Sequence, residues 1–112
     1  MIFGLVPGTL DVMVLKALAG GPNHGYGVAK WLHETTDGIF VIEDGALYTA
    51  LHKLETQGLL KAEWGASDAN RRAKFYSLTV KGRKVLHQQT ATWRKSATAL
   101  FKVLDAPRKA PS

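Results

Sequence analysis

Arg71, Arg72 and Lys74 put three cations into four residues, directly before the alternating run Phe75-Tyr76-Ser77-Leu78-Thr79. A basic cluster at the end of a β-ribbon adds little to a hydrophobic core. It is well suited to holding the phosphates of double-stranded DNA beside a helix that lies in a groove. A helix of that kind is predicted just upstream, from Asp44 to Gln57. Leu47, Ala50, Leu51 and Leu54 fall on one face of it, and Gly45, Tyr48, Thr49, His52, Lys53 and Thr56 collect on the other. Tyr48 and Thr49 are candidates for contacts with bases or nearby phosphates, while Lys53, late in the helix, is placed for backbone. The plainer alternatives are that Tyr48 packs beneath the hairpin and that Lys53 is simply solvated. Lys74 lies within a strand and can point either way, so it ranks below the two arginines.

Other chemistries find no assembled set of residues. Without cysteine there is no disulfide framework, thiol nucleophile or thiolate metal site. His24, His33, His52 and His87 lack metal-binding spacing such as His-x-x-x-His. Glu43 and Asp44 adjoin each other at a helix start, where acids complement the dipole. No serine is accompanied by a histidine and an acid in a recognisable arrangement. The expectation is a protein that is not an enzyme and uses no metal or cofactor.

The chain has 112 residues, 46% of them hydrophobic and 21% charged, as expected for one ordinary globular domain. Its net charge of +6 is unevenly spread. Residues 1–52 carry two cations and five acids, a net of −3, and residues 53–112 carry thirteen cations and four acids, a net of +9. Such asymmetry points to a polyanionic partner on one side of the molecule, with a solvated basic helix surface as the bland alternative. No run approaches 18 apolar residues, so a membrane span is excluded. The Met1–Val6 start has no basic n-region and is too short for a signal peptide, which leaves a cytoplasmic protein as the expectation.

Several elements must position these residues. Leu10, Met13, Val14, Ala17 and Leu18 recur at helical spacing up to the break at Gly20-Gly21-Pro22. Asn23 stands where an N-cap belongs, opening a second helix that carries Tyr26, Ala29 and either Leu32 or Trp31 inward and stops near Asp37-Gly38. Ile39-Phe40-Val41-Ile42 reads as a short strand. Gly58 ends the third helix, and Leu59–Trp64 and Ala73–Leu78 form a hairpin around a polar loop, Gly65 to Arg72. Thr79 caps a last helix running to about Asp105, in which Leu86, Thr90, Trp93, Ala97, Leu100 and Leu104 keep a heptad rhythm. That stripe is too long for a small domain to cover, so it implies a partner helix and a symmetric homodimer. The fold class is α+β, mostly α: a winged helix-turn-helix over residues 1–79, a long dimerisation helix over 80–105 and a disordered tail over 106–112.

Four blocks carry a resemblance: Leu5-Val6-Pro7-Gly8-Thr9-Leu10-Asp11, His24-Gly25-Tyr26-Gly27, Gly45-Ala46-Leu47-Tyr48, and the stretch from Asn70 through Arg71-Arg72-Ala73-Lys74-Phe75-Tyr76-Ser77-Leu78-Thr79 to Val80-Lys81-Gly82. In this order and spacing they resemble the PadR-like transcriptional regulators, over roughly residues 5 to 105. The single C-terminal helix resembles the small branch of that family. The resemblance implies a dimeric repressor on a palindromic operator, with the third helix in the major groove and the wing on flanking backbone or minor groove. It places Tyr26 as a phosphate contact at a helix N-terminus, with a core tyrosine as the alternative. The family often reads Leu-Tyr-Pro where this chain has Leu47-Tyr48-Thr49. Losing a proline from a first helical turn costs little order, and Thr49 adds a hydroxyl on the DNA-facing side. In related small regulators an aromatic of the last helix lines a cavity for flat hydrophobic compounds. Trp93 stands there, either as part of such an effector pocket or as an interface anchor without a ligand. A winged-helix module that binds another protein instead of DNA is the competing reading. The Glu43-Asp44 pair favours it mildly, because it repels phosphates. The Arg71-Arg72 wing and the charge split favour DNA.

Overall fold

The computed structural model describes residues 8–109, so Leu5-Val6-Pro7 of the first block, the Met1–Val6 start and the last three residues of the tail lie outside it. Helix α1 (Thr9–Ala17) buries Val14 and Leu15, and Leu18 follows in one 3-10 turn before the Gly20-Gly21-Pro22 break. Strand β1 (Asn23–His24) leads directly into α2 (Gly25–Thr35). The N-cap of α2 is His24 rather than Asn23: its Nδ1 accepts the Gly27 amide at 3.1 Å. Asn23 is paired in the sheet opposite Tyr76, and its side-chain oxygen accepts the His24 amide at 2.9 Å. Pairing to the sheet thus moves the helix start one residue along. Helix α2 turns Val28 and Leu32 into the core and leaves Tyr26 and Trp31 exposed, so Tyr26 is not the inward residue expected of it.

Ile39–Ile42 is not a strand. Phe40 and Ile42 do face the protein while Ile39 and Val41 face solvent, as the alternation implies. A strand also needs a pairing partner; β1 holds the β3 edge of the hairpin, and among the described residues Ile39–Ile42 pairs with no strand of the sheet. The segment instead hangs from the end of α2, where the Phe40 amide donates to Thr36 Oγ1 at 3.1 Å.

Helix α3 (Asp44–Thr56) buries Leu47, Ala50, Leu51 and Leu54. Gly58, at φ 77°, provides its left-handed stop, and the Leu59 amide reaches back to the Leu54 carbonyl at 2.9 Å. Strands β2 (Leu60–Ala66) and β3 (Arg72–Leu78) pair antiparallel and, with β1, give a three-stranded sheet in the order β1-β3-β2. Both strands run further than the sequence suggests, shortening the loop to residues 67–71. Its ends are closed by the Ser67 amide on the Arg71 carbonyl at 2.8 Å.

Helix α4 (Val80–Leu104) starts under tight control. The Thr79 hydroxyl accepts the Gly82 amide at 3.0 Å and donates to the Gly58 carbonyl at 2.7 Å. Gly82 lies so close to the backbone just before β2 that a Cβ there would collide with the Leu59 carbonyl oxygen. Backbone cannot yield as a side chain can. Gly82→Ala is therefore expected to destabilise the fold by about 1–3 kcal/mol. Gly45→Ala, in open space on a helix, should leave stability unchanged or slightly raised. Urea melts of the two variants check the contrast.

Val85 and Leu86 pack against the common core of α1, α2, α3 and the sheet. Beyond Trp93 the helix leaves the globule, which stretches the molecule to 65 × 29 × 20 Å. No helix among the described residues is long and apolar enough to cross a membrane.

Candidate nucleic-acid interface

The core stripe of α3 leaves its outer face bare, and Gly45, Thr49, His52 and Thr56 are exposed along it. Tyr48 sits on the flank nearest α2, half exposed, with its hydroxyl against Gly25; a Cβ at Gly25 would meet that oxygen at 2.8 Å. The glycine that opens α2 is what lets the two helices approach here. Tyr26 follows on the first turn of α2, 73% exposed, its ring stacked at 6.4 Å on that of His24.

Across from these residues stands the wing. A cleft of about 560 Å³ separates it from α2 and α3, and its walls include Tyr26, Tyr48, His52, Arg71, Arg72 and Lys74. Six of the nine residues singled out as DNA contacts therefore share one cleft. Gly45 and Thr49 lie on the adjoining exposed face of α3. Lys53 is elsewhere: it leans to the opposite flank and ion-pairs with Asp11 of α1.

Charge within the cleft is unequal. Lys74 Nζ is 3.3 Å from Glu55 Oε1, which lies two turns after Tyr48 on the same flank of α3. The hydrogen bond to Glu55 holds the Lys74 ammonium above the usual lysine pKa. Lys74 also lies 5.4 Å from the ring of Tyr76, whose phenol is pushed up by burial. Lys74 thus ties the wing to α3 and has part of its charge neutralised. Arg71 and Arg72 are exposed, and among the described residues neither pairs with a carboxylate.

Two residues of the cleft stand outside the expected set of DNA contacts. His24 caps α2 and meets the Phe75 ring edge-on at 5.2 Å. Trp64, on the wing and 61% exposed, carries the guanidinium of Arg72 4.5 Å from its ring centroid. Its alternation with Leu60 and Ala62 marks it for the inward face. Only the point at which the core ends leaves it bare.

On the far side of the globule, Leu86, Thr90 and Trp93 of α4 are half-buried and line a groove of about 670 Å³ together with Val12, Met13 and Trp31. Further along α4, Ala97, Leu100 and Leu104 are exposed. Among the described residues no cluster of His, Asp and Glu could hold a metal ion.

Helices α2 and α3 in helix-turn-helix order, followed by an antiparallel hairpin beside the exposed face of the second helix, define a winged helix-turn-helix DNA-binding protein. Residues 14–88 match the model of the transcriptional regulator PadR-like family, and the chain belongs to that family. Its members are DNA-binding transcriptional regulators and not enzymes. A PadR family transcriptional regulator from Eggerthella lenta is 33% identical with a TM-score of 0.76, the match covering 89% of this chain and 85% of that one. A transcriptional regulator from Clostridium thermocellum is 29% identical with a TM-score of 0.77, over 85% of this chain and 92% of that one. An uncharacterized protein of Lysinibacillus sphaericus is 27% identical over 90 residues, which is 80% of this chain and 82% of that protein.

Proposed function

We propose that this PadR-like regulator is a dimeric repressor that binds a palindromic operator, with α3 in the major groove and the wing tip on flanking backbone. The observation that carries this reading is the cleft in which two arginines, without a carboxylate partner among the described residues, stand beside the exposed polar face of α3. Gly45, Thr49 and His52 present that face, Tyr48 and Tyr26 border it, and Arg71 and Arg72 supply phosphate contacts. Lys53 and Lys74 add to the local potential, while their carboxylate partners limit how far they reach. Dimerisation is assigned to α4. The stripe that closes on the groove at Leu86, Thr90 and Trp93 continues through Ala97, Leu100 and Leu104, which none of the described residues covers. Phe101 widens it, at 59% exposure. A second copy related by a two-fold axis covers such a stripe, and the same axis makes the operator palindromic. The groove between Trp31 and Trp93 also supports a second feature, release by a flat hydrophobic effector, because its size and two indoles suit such a molecule.

Specificity is assigned to the front of α3. Thr49→Ala and Tyr48→Phe are each expected to cost about 1–3 kcal/mol on an operator selected from random duplexes and little on random sequence. The quantity to measure is the ratio of operator to random affinity, with thermal melts confirming the fold. Wild-type ratios in both variants would move specificity to the wing or to DNA shape.

A further inference from the structure

We propose that Trp64 is a positioning residue for Arg72, and that the stacked pair serves as the phosphate clip of the wing. The proposal rests on the DNA-binding reading of the cleft. Trp64 and Arg72 lie on the same face of the hairpin. Leu60, Ala62, Trp64 and Ala66 of β2 stand opposite Leu78, Tyr76, Lys74 and Arg72 of β3, so all eight share one face. At the base this face is core, with Leu60, Tyr76 and Leu78 buried. One step out, Lys74 is drawn to Glu55 of α3. At Trp64 the cover has ended, and the indole remains 61% exposed. The largest side chain of the hairpin therefore contributes little to folding where it stands.

What it does hold is Arg72. The guanidinium carbon lies 4.5 Å from the indole centroid, within cation–π range. Arg72 sits diagonally across the strand pair from Trp64, and among the described residues no carboxylate competes for it. A guanidinium resting on an aromatic plane keeps its N–H fork free, and that fork matches a phosphate bidentately. An unsupported arginine on a hairpin loses rotamer freedom when it binds, whereas a stacked one has already lost part of it. Lysine would keep the charge and lose the plane. The pair stands on the wall of the cleft that faces Tyr48 and His52 of α3, so a duplex seated on α3 brings its backbone to this fork.

The test uses the full chain, a random-sequence duplex and a salt titration, with melts to confirm that each variant folds. Trp64→Ala is expected to weaken binding about threefold to thirtyfold while the log–log salt slope stays at the wild-type value, because no charge is removed. Arg72→Lys should behave alike. Arg72→Ala should weaken binding and flatten the slope by about one unit. Adding Trp64→Ala to Arg72→Ala should then change little, because the indole acts through the arginine. An equal loss from Trp64→Ala in both backgrounds would mean that the indole touches DNA itself, and the positioning role would be wrong. If Trp64→Ala binds as wild type while Arg72→Ala is impaired, the stack is idle and the wing still grips DNA. If Arg71→Ala and Arg72→Ala both leave binding and slope unchanged, the cleft reading fails along with the clip.

Discussion

Leu100→Glu is expected to convert the protein from dimer to monomer at micromolar concentration. Leu100 is 55% exposed in the single chain and Leu104 65%, both in line with the stripe that begins at Leu86. Neither belongs to the core, so the globule does not need them. In a symmetric seam each substitution appears twice, once from each protomer. An ion left unpaired in an apolar interface costs several kcal/mol, so two of them weaken association by roughly ten-thousandfold. Sedimentation of the variant reads the result directly, and circular dichroism should show a helical, folded monomer. A dimer of wild-type strength would place the interface somewhere other than the stripe. Operator affinity should fall with the dimer, because each half-site is then bound alone.

Replacing Arg71 and Arg72 together with alanine should weaken binding to operator and random duplex alike. Each arginine that neutralises a phosphate releases about one counterion, so losing both flattens the salt slope by up to about two units. At 0.1 M salt this corresponds to roughly a fifty- to hundredfold loss on either DNA. The uniformity of the loss matters more than its size. Backbone contacts carry no sequence information, so the ratio of operator to random affinity should hold. If operator binding alone suffers, the wing reads bases and the roles assigned to the wing and α3 must be exchanged. The fold should not be affected, because both side chains are exposed at the hairpin tip.

The limits of what the chain reveals in one dimension follow from which signals are local. Helix stops and starts rest on a few neighbouring residues, and these are legible. Gly58 takes the left-handed turn that ends α3, and Thr79 caps α4. The leucine face of α3 follows from a period of 3.6, and the hairpin from alternation around a polar loop. The same periodicity separates the bare face of α3 from its buried one, and it puts Gly45, Thr49 and His52 on the exposed side. Partner choice is not local, and there tertiary structure decides. Ile39–Ile42 has strand composition, but it is Asn23–His24 that pairs with the β3 edge of the hairpin. That pairing also makes His24 the cap and turns Tyr26 outward. Lys53 and Lys74 look alike in sequence, yet one is tied to α1 and the other to α3. Trp64 carries the inward parity of its strand and is nevertheless exposed, because the core ends one register pair before it. A residue type and its spacing determine which way a side chain points along its own element. What it meets there depends on where other elements stop, and only packing sets that.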